Sequence, residues 1–100
     1  DIENKIPDGG VALVKFYAPW CGYCKRIAPT WKDVHSKFDN TSVHGKIVRI
    51  LSVNCEEYEK TAKEYGIQGF PTIKVITADK VVDYKGGRSF KDFEKFVKGL

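Results

Sequence analysis

Two apolar runs separated by one helical stripe constrain this chain more than any other feature of its 100 residues. Val11 to Ala18 is β-branched and aromatic, is broken only by Lys15, and has the length and make-up of a buried strand. From Gly22 to about Phe38, the residues Ile27, Trp31, Val34 and Phe38 recur at three- and four-residue spacing, which predicts a helix with one face on a core. Pro29 falls inside that stripe and is expected to kink the helix. Ile47 to Val53 is a second buried-strand candidate. A strand, a helix and a strand in this order make a crossover unit, which is right-handed in nearly all proteins and requires the two strands to be parallel.

The rest of the chain extends this unit. Asp8-Gly9-Gly10 reads as a turn and Asp39 to Gly45 as a polar loop. A short helix is predicted from about Glu56 to Tyr65, with Tyr58, Ala62 and Tyr65 on one face and Gly66 as its C-cap. Thr72 to Thr77 and Lys80 to Tyr84 flank Ala78-Asp79, as in an antiparallel hairpin. Ser89 with Asp92 three residues later resembles a capping box. It opens a last helix whose Phe90, Phe93, Val97 and Leu100 face inward. The expected architecture is α/β: a three-layer α/β/α sandwich around a mixed central sheet. With neither a linker-like tract nor an internal repeat, residues 1–100 form a single domain.

Composition excludes several classes of function. An apolar share of 42% with 30% charged residues and a mean hydropathy of -0.36 belongs to an ordinary globular domain. No apolar run approaches the ~18 residues of a membrane span. The net charge of +4 is spread along the chain, with Lys25-Arg26 the only adjacent basic pair, so nucleic acid is not an expected partner. The sequence contains no methionine and reads as a domain excised from a longer protein, with any targeting signal removed.

The three cysteines hold the chemistry. Trp20-Cys21-Gly22-Tyr23-Cys24 falls at the junction of the first strand and its helix. A Cys-x-x-Cys on a first helical turn brings both sulfurs to one face, within bonding reach of each other. Cys21, at the helix N-terminus, lies beside unpaired N–H groups and the positive end of the helix dipole, which favour its thiolate. Cys21 is therefore the candidate nucleophile, and Cys24, one turn inward, the candidate resolving thiol that releases a mixed disulfide. Two other readings compete. A zinc site would have to recruit Cys55, His35 and His44, whose spacings match no common zinc pattern. A structural disulfide or a pair of inert thiols is the other alternative, in a place unusually exposed for one.

Beyond the motif itself, the chain resembles a thioredoxin-fold domain, specifically the catalytic a-type domain of the protein disulfide isomerase family. Phe16-Tyr17-Ala18-Pro19-Trp20-Cys21-Gly22 with Cys24-Lys25 resembles the isomerase signature and its lead-in strand. Ala28-Pro29 is similar to the kink of the active-site helix, Tyr65 to Thr72 to the segment holding a cis-proline, and Gly86-Gly87-Arg88 to a segment whose arginine approaches the resolving cysteine. The resemblance implies a cis Pro71 facing the sulfurs, and Arg88 stabilising the Cys24 thiolate. It also implies a substrate surface of Trp20, Gly22, Tyr23, Phe70 and Pro71, on which the backbone at Phe70 pairs with an extended peptide. Simple packing for Trp20, an ordinary loop proline for Pro71 and a solvated cation for Arg88 are the plainer alternatives.

Several positions depart from the family pattern. The usual isomerase motif has histidine where this chain has Tyr23, and a phenol cannot supply the imidazolium charge that stabilises a thiolate. Relatives place a buried acid at the position of Lys15, where it moves protons to and from the resolving cysteine. Lys15 is expected instead to act on the pair electrostatically, favouring thiolates and keeping the domain oxidising, or to snorkel to the surface. Ser52 stands where some relatives have the lysine that pairs with that acid. Cys55 has no partner and is expected to be a partly buried free thiol. The first strand of the family is expected to be absent, with Asp1 to Ile6 the tail of its first helix. Asn40-Thr41-Ser42 satisfies the N-glycosylation pattern.

Taken together, the residues and the resemblance imply a thiol-disulfide oxidoreductase or isomerase that acts through Cys21 and Cys24 and needs no metal or other cofactor. Its expected partners are unfolded or misfolded proteins bearing thiols or disulfides, and glutathione or an upstream thiol oxidase. A monomeric module in the lumen of the endoplasmic reticulum is expected, since disulfides persist in oxidising compartments. The alternatives are a non-catalytic adaptor or chaperone module that holds partners on the Pro71 face, and a cytosolic thioredoxin-like reductase.

Overall fold

The computed structural model describes residues 2–100. A 3-10 turn at Glu3–Lys5 precedes strand β1, Val11–Tyr17. Helix α1, Gly22–Phe38, is followed by β2, Thr41–Val43, and β3, Lys46–Asn54. Then come α2, Glu59–Glu64, β4, Thr72–Ile76, β5, Val81–Asp83, and α3, Phe90–Lys98. The five strands form one mixed sheet in the order β2-β3-β1-β4-β5. β1 runs parallel to β3, with Val11 opposite Val48 and Lys15 opposite Ser52, and antiparallel to β4, with Lys15 opposite Ile73. The expected crossover and mixed sheet are thus present, in the thioredoxin fold.

β1 is central and buried on both faces, so alternation divides its side chains between two cores. Val11 and Leu13 pack under α1 and α3 with Trp31, Val34, Ile73 and Phe93. Ala12, Val14 and Phe16 face the other way, with Ile2, Val53, Cys55 and Ile76, beneath Ala62 and Tyr65. Lys15, on the α1 side by the same alternation, is the one buried charged side chain among the described residues, at 6% exposure. α1 runs uninterrupted through Pro29, which sits on its solvent side where a missing N–H leaves no buried partner unsatisfied.

Three expectations require correction. The loop expected at Asp39 to Gly45 contains an edge strand: β2 pairs antiparallel with β3 through a tight turn in which His44 and Gly45 both have positive φ, 50° and 78°. That is the conformation favoured by two-residue hairpins, reached here by a histidine that rarely signals it. The second helix begins at Glu59, not near Glu56. Asn54 explains the delay, because its side chain accepts the Glu56 N–H at 3.0 Å. Its carbonyl oxygen takes those of Glu57 and Tyr58, forming a turn that leaves Tyr58 54% exposed instead of inward. Finally, the segment expected to be a helix tail holds only the 3-10 turn, with Asp1 outside the described residues. No strand precedes β1 among those residues, and β2 occupies the sheet position beyond β3. Gly66, at φ 65°, takes the left-handed conformation that ends α2, and Ser89 and Asp92 form the capping box of α3.

Candidate active site

The site lies where β1 gives way to α1. Cys21 is the N-cap of α1 in extended conformation, its N–H held by the Ala18 carbonyl at 3.2 Å and its own carbonyl taking the first helical bond from Lys25 at 3.1 Å. No acidic residue occupies the first turn of α1, so the positive helix end faces the Cys21 sulfur without a competing carboxylate. Cys21 is 9% exposed and Cys24 4%. All three cysteines are free thiols.

The two thiols of the pair are biased in opposite directions. Hydrogen bonds to the Cys21 sulfur, from the Cys24 side chain first and then from the Cys24 and Tyr23 backbone N–H groups, hold Cys21 below the usual thiol range. Burial pushes Cys24 up, against the opposing pull of Lys15. The anionic form is thereby favoured on Cys21 and disfavoured on Cys24. Burial also pushes the Cys55 thiol up; its N–H is tied to the Tyr17 carbonyl at 2.8 Å and its sulfur to Val53 O at 3.8 Å.

Opposite the sulfurs, the Phe70-Pro71 peptide bond is cis. The Cys21 thiol lies 3.5 Å from the Phe70 carbonyl oxygen, its acceptor. Thr72 Oγ1 donates to Gly69 O at 2.7 Å and Arg88 donates through Nη2 to Pro71 O at 3.2 Å, bracing the proline segment from both ends. Arg88 thus meets the proline carbonyl, whereas the resemblance led one to look for it beside Cys24. Trp20 packs edge-on against Phe70 with ring centroids 5.8 Å apart, yet is 64% exposed; Tyr23 is 67% exposed, with the Arg26 guanidinium 5.3 Å from its ring centroid. Trp20, Gly22, Tyr23, Phe70 and Pro71 are brought together around Cys21, and the aromatic rings among them present a rim to solvent.

Lys15 lies beneath the pair. With Cys24, Tyr17, Ala18, Pro19, Lys25, Ala28 and Ser52 it lines a recess of about 230 Å³ beside the first turn of α1. Its Nζ stands 4.9 Å from the Tyr17 ring centroid and 5.9 Å from that of Trp31. Tyr17 is a site residue to which the sequence reading assigned no contact with Lys15; the strand alternation that puts residues 15 and 17 on one face was the available signal. His35 and His44 are engaged elsewhere, with Asp39 Oδ2 at 3.3 Å and Leu100 O at 2.7 Å respectively. No cluster of three or more His, Cys, Asp or Glu placed to hold a metal occurs among the described residues.

Comparison with known proteins agrees with this geometry. The thioredoxin family description matches residues 2–99. "Protein disulfide-isomerase 2-3" of Arabidopsis thaliana is 38% identical over 100 residues, covering 95% of this chain and 21% of the relative. "Protein disulfide-isomerase A6" of Mus musculus is 41% identical over 86 residues, covering 84% and 18%. The chain spans about a fifth of the length of these relatives. Among solved structures, the first thioredoxin domain of mouse Protein disulfide-isomerase A4 superposes with a TM-score of 0.81 at 28% identity, over 98% of this chain and 68% of that one. The J-Trx1 fragment of ERdj5 gives 0.77 at 28%, over 91% and 43%. With a strand-to-helix cysteine pair facing a cis-proline, and with these matches, the chain belongs to the thioredoxin family and resembles the a-type domains of protein disulfide isomerases.

Proposed function

We propose that the domain is a thiol-disulfide oxidoreductase and isomerase acting on proteins. The observation that supports this reading best is the placement of two cysteines on the first turn of α1, Cys21 as its N-cap and 3.5 Å from the Phe70 carbonyl oxygen that precedes a cis Pro71. The Cys21 thiolate attacks one sulfur of a substrate disulfide, forms a mixed disulfide and releases the other substrate sulfur as a thiolate. That thiolate then attacks elsewhere, which isomerises the substrate, or Cys24 attacks Cys21 Sγ, which closes the Cys21-Cys24 bridge and releases the substrate reduced by two electrons. In reverse, a substrate thiolate attacks Cys21 of the bridged pair, and a second substrate thiol completes a substrate disulfide while the pair takes up two electrons.

The chain's own residues supply orientation. Pro71 offers no N–H, so the backbone at Phe70 is open to an extended peptide in strand-like pairing, and Trp20 and Tyr23 give that peptide an apolar rim. Glutathione or a thiol oxidase is the electron partner of this scheme, and the lumen of the endoplasmic reticulum its compartment, by similarity to disulfide isomerases. Cys21→Ser separates catalysis from an adaptor that binds with idle cysteines. The variant is expected to lose insulin reduction and reactivation of scrambled ribonuclease; undiminished activity in both would overturn the reading.

A further inference from the structure

Lys15 is a charge placed where water is scarce. The fold leaves it 6% exposed in the central strand, and no carboxylate pairs with it among the described residues. The groups facing it can be named element by element. Tyr17 of β1 and Trp31 of α1 present ring faces, Ser52 lies opposite on β3, and Ile73 opposite on β4. Cys24 and Lys25, from the first turn of α1, line the same recess. Of these, only the Cys24 sulfur becomes an anion during disulfide exchange. The relation is mutual: Lys15 favours the Cys24 thiolate, and Cys24, with the two ring faces, favours the charged form of Lys15.

We propose that the Lys15 ammonium is the counter-ion of the Cys24 thiolate in the resolving step, setting the rate at which mixed disulfides are released. This rests on the exchange reading given above. In the step, Cys24 loses its proton to water through the recess and its thiolate, held by Lys15, attacks Cys21 Sγ. The Cys24–Cys21 bond forms, the Cys21–substrate S–S bond breaks, and the departing substrate thiolate takes up a proton from water. Closure of the bridge removes the anion and leaves Lys15 unpaired, as it is in the resting dithiol with Cys24 protonated, so the ammonium acts on the rate of resolution rather than on the states it joins. Burial lowers Lys15 from the ordinary lysine range, as expected of an ammonium with no permanent anion.

The test is a stopped-flow reaction of the reduced domain with dithiobis(nitrobenzoate) in a Cys55→Ala background. The first thionitrobenzoate released reports attack by Cys21 and the second reports resolution by Cys24. At pH 7, Lys15→Met is expected to leave the first phase within about twofold and to slow the second on the order of tenfold, the effect of a one-unit rise in the Cys24 midpoint. Lys15→Glu slows it further, and Lys15→Arg, which keeps the charge, restores most of the rate. The pH profile of the second phase moves to higher pH in Lys15→Met and back in Lys15→Arg. A second phase unchanged in both Lys15→Met and Lys15→Glu overturns the proposal and leaves the exchange reading standing. So does a folded Lys15→Arg variant no faster than Lys15→Met, which assigns the position to packing. Absence of a second phase in the parent overturns both.

Discussion

Lys15→Met is expected to stabilise the domain while it impairs resolution. Lys15 is 6% exposed with no ion-pair partner among the described residues, its ammonium reaching water only through the recess, and a polar group so largely withdrawn from water costs about 1 kcal/mol, the low end of protein mutational measures. Its contacts with the Tyr17 and Trp31 rings, at 4.9 and 5.9 Å, return about 0.5–1 kcal/mol. Methionine replaces these with sulfur–aromatic contacts worth about 0.3–1.5 kcal/mol. The net gain is on the order of 1 kcal/mol, and each kcal/mol raises Tm by roughly 4–8 °C in a domain of this size. The effect depends on pH with a definite sign. Burial lowers Lys15 in the folded state from its ordinary value of 10.5, so between the folded and unfolded values the unfolded chain binds more protons and parent stability rises with pH. The penalty is therefore complete below the folded value and gone above 10.5. Urea unfolding of the two reduced proteins at pH 7 and at rising pH measures this, with equal m-values as the control. A Lys15→Met variant less stable than its parent at pH 7, or a gap that does not narrow as pH rises, would refute the reasoning.

Asp39 and Tyr23 give two further expectations. Burial opposes the Asp39 carboxylate, but the Ile50 N–H at 2.9 Å, Arg49 Nε at 2.9 Å and His35 outweigh it and hold Asp39 below the usual carboxylate range. Asp39→Asn is expected to cost about 1.5–3 kcal/mol at pH 7, the range for hydrogen bonds to a charged group. Because the folded value is depressed, that contribution is complete above the ordinary aspartate value of 3.8 and disappears as pH falls through the folded value. A series of denaturant melts in acid then shows the two proteins converging. Tyr23→His puts an imidazolium beside the first turn of α1 below about pH 6.5. A charge ~4 Å away in high dielectric is worth ~1 kcal/mol, so iodoacetamide is expected to alkylate Cys21 about fivefold faster at pH 6; an unchanged rate contradicts it.

What the sequence disclosed, and what it withheld, follows the range of the interactions involved. β1, α1 and β3 were legible because each buries a continuous run or stripe, and two parallel strands joined by a helix have one common handedness. The capping box at Ser89 is local, as is the placement of Cys21 and Cys24 on the first turn of a helix. β2 was not legible: Thr41, Ser42 and Val43 bury little, and their pairing depends on positive φ at His44, which its identity does not announce. The late start of α2 turned on one residue, Asn54, whose side chain captures the Glu56 N–H and whose carbonyl takes those of Glu57 and Tyr58. At the site, the resemblance put Lys15 under the cysteine pair, but its approach to Trp31, 16 residues away, is set by how the helix lies on the sheet. Arg88 shows the same limit, since its bond to the Pro71 carbonyl joins loops 17 residues apart.

The central claim is that Cys21 and Cys24 form a reversible two-electron couple from which Cys55 is excluded. Equilibrating the domain in glutathione buffers of graded poise, then quenching with acid, alkylating and mapping each cysteine by mass, tests it most directly. The account predicts one two-electron transition in which a Cys21-Cys24 bridge appears while Cys55 stays alkylatable as a thiol after unfolding, with a midpoint more oxidising than the roughly −270 mV of a reductant such as thioredoxin. A midpoint at or below that value would contradict the thiolate-favouring surroundings given to Cys21. A pair that never bridges, or one that bridges through Cys55, would contradict the account at its root.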